Sequence, residues 1–142
     1  MSVNPIPENS HTISPYLIIK DVNRQIEFIQ KAFNGDLITH LDGPEGSIIH
    51  AEVRIGDSRV MMGNSSDEYP PMPAMLYVYV ENMDDVYQQA LHAGGESLKE
   101  PKDQFYGDRT ANVKDPFGNI WSISTHVEDV SDEEMARRLQ EG

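Results

Sequence analysis

Two stretches of the sequence repeat the same succession of a β-rich run and a helical apolar stripe. The runs Ser14–Asp21 and Met75–Asn82 each end in a residue that caps helices well. Apolar residues then recur at helical spacing, at Val22, Ile26, Ile29 and Phe33 and again at Met83, Val86, Ala90 and Ala93. Glycines end both stripes, Gly35 after Asn34 and the Gly94–Gly95 pair, which predicts left-handed helix ends.

Three strand candidates follow each predicted helix. In the first half of the chain they span residues 36–41, 47–55 and 58–63, and in the second half residues 96–100, 108–114 and 119–125. Corresponding positions stay about 60 residues apart throughout, so we interpret the chain as one βαβββ module present twice.

This pattern predicts an α+β fold in a single domain over residues 1–142. The first βαβββ module covers residues 12–63, a proline-containing linker covers 64–73 and the second module covers 74–126. In the tail, residues 127–142, Ser131 and Glu134 form a capping-box pattern that predicts a short helix through about Gln140.

Period-two alternation predicts which strand side chains share a face of the sheet. The apolar positions face the helices, which leaves a polar and aromatic set on the opposite face: Tyr16, His50, Glu52, Tyr77, Tyr79, Thr110, Asn112 and Ser122. Tyrosine rings suit a planar or cationic ligand, and their hydroxyls can orient it. The alternative is that these tyrosines are ordinary strand formers on a half-exposed sheet.

Two charged positions are candidates for chemistry. His50 and Glu52 lie two residues apart on one strand, where His50 could act as a general base oriented by Glu52 or simply line a pocket wall. Arg109 follows a glycine turn, where a guanidinium suits capture of a carboxylate or phosphate. The alternative for Arg109 is a structural arginine paired with Asp103 or Asp108.

Composition narrows the classes of partner. Twenty-four acidic and 11 basic residues give a net charge of −13, which repels nucleic acid and would attract a cationic small molecule. The alternative is that the acidity simply keeps the protein soluble. The absence of cysteine excludes thiolate metal sites and a cysteine nucleophile. The N-terminus lacks the features of a secretory signal, and no run reaches the roughly 20 apolar residues of a membrane helix. We therefore expect a cytoplasmic protein with no membrane partner.

The module pattern and two motifs together resemble a known family. Tyr106-Gly-Asp-Arg109 leading to Asp115-Pro-Phe-Gly-Asn-Ile-Trp121 looks like the second module of glyoxalase-fold proteins. The continuation Thr125-His-Val-Glu-Asp-Val-Ser131 is similar to the PhnB-like branch of the vicinal-oxygen-chelate (glyoxalase/bleomycin-resistance) superfamily. The resemblance covers residues 12–140.

The resemblance implies that the modules curl into a mixed-sheet cup with the helices on its outer face, and that the protein is a homodimer. Metalloenzymes of the superfamily hold one divalent ion with four side chains, and the corresponding positions here are Ser14, Met75, Ser122 and either Met61 or Met62. Because hard divalent ions prefer carboxylate and imidazole ligands, we predict no metal and no cofactor.

Our leading hypothesis is a small-molecule-binding protein of the glyoxalase/bleomycin-resistance type that sequesters its ligand. The predicted ligand-binding residues are Tyr16, His50, Glu52, Tyr77, Tyr79, Arg109 and Asn112. The alternative is a lyase- or isomerase-type enzyme of the same superfamily, with His50 as its acid–base residue and Arg109 as its anion anchor. Both hypotheses are consistent with the sequence.

Overall fold

The computed structural model describes residues 3–141, which form three α-helices and eight β-strands. The chain divides into two compact units whose boundary lies between Ala74 and Met75. Each unit contains one βαβββ module, so the predicted α+β fold with two tandem modules is confirmed.

The first unit holds a four-stranded mixed sheet with the order β1-β4-β3-β2. Strands β1 and β4 are parallel, and the other two pairings are antiparallel. Its elements are β1 (Tyr16–Ile19), α1 (Val22–Phe33), β2 (Asp36–Asp42), a 3-10 turn (Pro44–Gly46), β3 (Ile48–Ile55) and β4 (Ser58–Asn64).

The second unit repeats this topology with the order β5-β8-β7-β6, in which β5 and β8 are parallel. Its elements are β5 (Met75–Tyr79), α2 (Met83–His92), β6 (Glu96–Asp103), β7 (Asp108–Lys114), β8 (Ile120–His126) and the tail helix α3 (Asp132–Glu141). The Ser131 hydroxyl accepts a hydrogen bond from the Glu134 backbone N–H at 3.1 Å, so the predicted cap of the tail helix is confirmed.

The helix starts follow the sequence closely, whereas one helix end differs from the prediction. Asp21 and Asn82 cap α1 and α2 through bonds to the backbone N–H groups of Arg24 and Asp85. At the end of α1, the left-handed residue is Asn34, with φ of 55°, and not the glycine that follows it. Asparagine tolerates this conformation better than most residues, so it supplies the cap itself.

Strand β6 extends three residues beyond its predicted end at Glu100 and contains Pro101. A proline cannot donate a hydrogen bond to a sheet ladder, which is why the sequence pattern placed the strand end before it. The strand tolerates Pro101 because β6 lies at the edge of its sheet, and its register with β7 shifts between Lys99 and Lys102.

The core of each unit lies between its helix and one face of its sheet, as the alternation predicts. Leu17 and Ile19 are buried in the first unit, and Ala111 and Val113 in the second. Helix α1 contacts β3 and helix α2 contacts β7, so the odd-numbered positions of β7 face α2 and the even-numbered positions face away. Within residues 3–141, no helix is long and apolar enough to cross a membrane.

Candidate functional site

The second sheet presents a polar and aromatic surface on the side opposite α2. We call it the tyrosine face; its residues are Tyr77, Tyr79, Asp108, Thr110, Asn112, Ser122 and Ser124. Tyr77 and Tyr79 are 45% and 63% exposed, and their ring centroids lie 5.2 Å apart. Large aromatic side chains held this close together in solvent are a surface on which a ligand can stack.

Asp108 connects the tyrosines to the strands beneath them. It is only 3% exposed, and one carboxylate oxygen, Oδ2, accepts hydrogen bonds from the hydroxyls of Tyr77 at 2.7 Å and Tyr79 at 2.9 Å. The other oxygen, Oδ1, is 2.8 Å from Nδ1 of His126. A buried carboxylate needs such partners, because burying the charge without them would lower the free energy of unfolding by roughly several kcal/mol.

These contacts fix the ionisation of the cluster. Burial by itself raises the pKa of Asp108, but the hydrogen bonds from His126, Tyr77 and Tyr79 outweigh it and leave the pKa below its ordinary value. Burial and the bond to Asp108 raise the pKa of Tyr77, and the bond to Asp108 together with burial raises that of Tyr79. At neutral pH the carboxylate is therefore charged and both phenols keep their protons.

His126 lies between two carboxylates at the end of β8. Its Nδ1 contacts Asp108, and its Nε2 lies 2.7 Å from Oδ1 of the exposed Asp129. The hydrogen bonds to Asp108 and Asp129 raise the pKa of the imidazole, which favours its charged form. A histidine whose two nitrogens both bind carboxylates is better placed to hold Asp108 than to exchange protons with a ligand.

Smaller polar side chains complete the tyrosine face. The Tyr77 and Thr110 hydroxyls are 3.2 Å apart, and those of Thr110 and Ser124 are 2.8 Å apart. The Ser122 hydroxyl donates to Oδ1 of Asn112 at 2.7 Å. Asn112, one of the predicted ligand-binding residues, thus lies on the same face as Tyr77, in agreement with the alternation.

The equivalent face of the first sheet carries two separate polar pairs. The Tyr16 hydroxyl lies 3.1 Å from Nδ1 of His50, and the two rings are 5.7 Å apart. Glu52 accepts a hydrogen bond at 3.0 Å from Arg59. His50 and Glu52 share a face as predicted, but the carboxylate binds Arg59 and not the imidazole. The acid–base role of His50 stays a prediction, with Tyr16 as its observed partner.

Arg109 lies on the other side of the second sheet, with Ala111 and Val113. Its guanidinium donates two hydrogen bonds to Asp84, at 2.9 and 3.1 Å, and one to Asp103 at 3.2 Å. The bonds to Asp84 and Asp103 raise the pKa of Arg109 further, so the side chain joins α2 to β6 as a fixed cation. Its role in anion capture stays a prediction, because the geometry separates it from the tyrosine face.

Sequence reasoning missed Asp108 and His126 as site residues. In the sequence analysis Asp108 is only a possible partner of Arg109, and His126 is not among the predicted site residues. The available signal was the alternation itself, because Asp108 precedes Thr110 by two positions and His126 follows Ser124 by two. In the structure Asp108 and His126 are paired in register across β7 and β8.

The side chains at the superfamily's metal-ligand positions do not fit a divalent ion. Met62 is fully buried in the core, and the Ser122 hydroxyl is bonded to Asn112. Methionine and serine are poor ligands for hard cations in any case. Over residues 3–141, no group of three or more histidine, aspartate or glutamate side chains is arranged to hold a metal ion.

Comparisons with known proteins agree with the fold and the module pattern. An uncharacterized protein of Mycobacterium tuberculosis strain H37Rv is 32% identical over 149 residues, covering 95% of this chain and 84% of that protein. The crystal structure of TioX from Micromonospora sp. ML1 superposes with a TM-score of 0.72 at 21% identity, covering 83% of this chain and 100% of that one. A PhnB protein from Bacillus cereus superposes with a TM-score of 0.62 at 18% identity, covering 81% and 99%.

At these low identities the two solved structures establish the fold alone. The family follows from the sequence, because the model of one superfamily matches residues 10–123, which is most of the chain. The chain therefore belongs to the glyoxalase/bleomycin resistance protein/dioxygenase superfamily.

Proposed function

We propose that the protein binds a small molecule on the tyrosine face and sequesters it without chemical change. The observation that carries the proposal is the pair of exposed rings, Tyr77 and Tyr79, whose hydroxyls are both tied to the buried carboxylate of Asp108. A ring fixed in this way has little rotamer freedom left to lose when a ligand stacks on it, and this preorganisation favours binding.

The electrostatics of the face favour binding over catalysis. A general acid or base works best when its pKa lies near the operating pH. The pKa values of Tyr77 and Tyr79 are raised away from neutrality, and the pKa of Asp108 is lowered away from it. His126 has both nitrogens bonded to carboxylates. The two phenols and Asp108 are thereby each stabilised in one protonation state, and the two ring nitrogens of His126 are occupied by carboxylates.

A thermal-shift panel followed by calorimetry tests the proposal. The panel contains planar aromatic amines, metal-free bleomycin and small carboxylates, with a chelator and divalent metals tested in parallel. A ligand present at about 100 times its Kd should add roughly 2.7 kcal/mol to the free energy of unfolding, which raises Tm by several degrees. We expect shifts with planar amines and none with metals or the chelator.

A pair of substitutions then localises the ligand. Tyr79→Ala removes a ring of the tyrosine face and should weaken binding about tenfold or more, since an aromatic contact contributes roughly 1–2 kcal/mol. Tyr69→Ala is the matched control, because Tyr69 is also exposed but lies in the linker of the first unit. Equal affinities for the wild type and the Tyr79→Ala variant would refute the site, and no shift with any compound would refute the function.

A further inference from the structure

We propose that the tyrosine face selects a planar cation that donates hydrogen bonds, of the amidinium, guanidinium or aryl-ammonium class, because Asp108 draws the protons of Tyr77 and Tyr79 inward. The inference rests on the proposed binding function and specifies the chemistry of its ligand. It follows from the direction of the hydrogen bonds in the cluster.

The two phenols both donate their protons toward Asp108. An ionised carboxylate has no proton to donate, so each tyrosine hydroxyl must be the donor in its bond to Asp108. A phenol has one proton, and donating it inward leaves only lone pairs on the oxygen for any other partner. Tyr79 is the more exposed of the two rings and presents its oxygen as an acceptor.

The side chains of His126 and Arg109 are already bonded to carboxylates. His126 directs Nδ1 to Asp108 and Nε2 to Asp129, so both ring nitrogens already have carboxylate partners. Arg109, the nearest arginine in sequence, binds Asp84 and Asp103 on the other side of the sheet. Neither cation offers a donor to a ligand that lies on Tyr79.

The charge around the tyrosine face favours a cation. Electron-rich ring faces attract cations, and Tyr77 and Tyr79 expose two tilted rings within 5.2 Å of each other. Two carboxylates, Asp108 and Asp129, flank the single imidazole of His126, so the cluster is negative whether or not that ring is protonated. The net charge of −13 acts in the same direction. The ring faces, the acceptor oxygens and the negative local charge therefore all favour a cationic ligand that donates hydrogen bonds.

The first module gives an internal contrast. There the Tyr16 hydroxyl meets Nδ1 of His50, and a neutral imidazole nitrogen can either donate or accept. The position equivalent to Asp108 is Ile48, which brings no carboxylate to that tyrosine. Fixed acceptor polarity is thus a property of the second module.

The test uses three compounds of nearly the same shape: benzamidine, a cation with donors; benzamide, which is neutral; and benzoate, an anion with acceptors. Affinities are measured by ligand-observed NMR titration on the full chain. For the wild type we expect benzamidine to bind at least about tenfold more tightly than benzoate, which corresponds to roughly 1.4 kcal/mol. Equal affinities for the two would overturn the inference while leaving the proposed function intact.

The variant Asp108→Leu separates hydrogen-bond direction from charge, because leucine has no acceptor for the phenol protons. Both phenols are then free to donate outward, and the preference for benzamidine should shrink about fivefold or more. Asp85→Asn removes the same charge from the exposed first turn of α2 and should leave most of the preference intact. An equal loss in both variants would mean that charge alone selects the ligand, which would overturn the inference.

Two further measurements keep the result interpretable. Circular dichroism confirms that Asp108→Leu is folded, and Tyr79→Phe serves in its place if it is not. Tyr79→Phe keeps the ring and removes the acceptor, so it should weaken benzamidine more than benzamide; an equal effect on both would contradict the inference. If the wild type binds none of the three compounds or the planar amines, the proposed binding function itself fails.

Discussion

The two modules share one scaffold but differ in what their exposed sheet faces can do. Tyr16 pairs in register with Met61 in the first module, as Tyr77 pairs with Ser122 in the second. In the first module the polar groups form the separate pairs Tyr16–His50 and Glu52–Arg59. In the second, one network joins the tyrosines to the sheet. The difference centres on Asp108, which stands where the first module has Ile48, and on Tyr79, which stands where it has Ile18.

This contrast indicates how a duplicated fold comes to carry two different polar sheet faces. The helix-facing positions must stay apolar in both modules, because they form the core. The opposite positions are free to differ, and a carboxylate can be buried there only if neighbouring residues supply donors. Tyr77, Tyr79 and His126 supply them to Asp108. We expect the following substitutions to affect the two modules unequally.

The largest difference between the modules in the free energy of unfolding should come from substitutions in the turn between the last two strands of each module. In the second module, Asp115 accepts hydrogen bonds from the backbone of Phe117 and Asn119, the Asn119 amide and the Trp121 indole. Asp115→Ala leaves buried donors without an acceptor and should cost about 3 kcal/mol or more. Urea unfolding followed by the fluorescence of the single tryptophan, Trp121, measures this.

The matched control for Asp115→Ala is Asp57→Ala, in the two-residue turn between β3 and β4. Asp57 is exposed and its side chain bonds only its neighbour Ser58 among the described contacts, so we expect a change below about 0.5 kcal/mol. Similar costs for both variants, measured by circular dichroism, would remove this distinction between the modules.

The next effect concerns the glycines that follow the helices. A Cβ on Gly95 would overlap Val113 and lie 2.8 Å from the Ala90 carbonyl oxygen, whereas on Gly35 it would lie 2.8 and 2.9 Å from the side chains of Ile29 and Val53. Side chains can adjust more easily than backbone. We expect Gly95→Ala to cost about 3 kcal/mol and Gly35→Ala about 1–2 kcal/mol in urea unfolding. The reverse order would contradict this account.

A smaller difference should separate the equivalent tyrosines. Tyr77→Phe removes a hydrogen bond to a buried charge and should cost about 1.5 kcal/mol, whereas Tyr16→Phe removes a bond to the partly exposed His50 and should cost about 0.5 kcal/mol. Chemical unfolding of both variants at neutral pH provides the comparison. If Tyr16→Phe proved at least as costly, the network around Asp108 would not be the stronger of the two.

The smallest effect should be the pH dependence from His126, whose two ring nitrogens are both bonded to carboxylates. Its folded pKa is raised above the ordinary 6.5 by Asp108 and Asp129. Its contribution to stability is therefore complete below that value and is lost as pH rises through the folded pKa. Relative to His126→Asn, the wild type should lose stability between pH 6.5 and the raised pKa; parallel curves would contradict this.

Most of the fold could be predicted because it depends on periodicity. The apolar spacing that begins at Val22 and Met83 placed both helices, and the alternation around Ala51 and Ala111 assigned the buried faces of the strands. The prediction was wrong at the end of α1, where Asn34 takes the left-handed conformation, and at β6, where Pro101 is tolerated at a sheet edge. Both features depend on the surroundings of the residue in the folded chain, which the local sequence pattern does not contain.

The candidate site could be predicted only in part. Tyr77, Tyr79 and Asn112 share a face, as expected, since alternation determines facing. The partners of His50, Glu52 and Arg109 could not be predicted, because ion pairs form between residues distant in sequence. Glu52 binds Arg59 across a hairpin, and Arg109 reaches Asp84 on the helix, so the same side chains could equally have bonded elsewhere.

The sequence by itself determined the duplicated module, the core and the side of each sheet on which a tyrosine lies, because these depend on spacing along the chain. The tertiary structure decided which polar groups meet. Pairing of β7 with β8 places Asp108 beside His126, and pairing of β5 with β8 brings both tyrosine hydroxyls to the same carboxylate oxygen. The strength of a hydrogen bond changes when its donor–acceptor distance changes by a few tenths of an ångström, and only the folded chain fixes those distances.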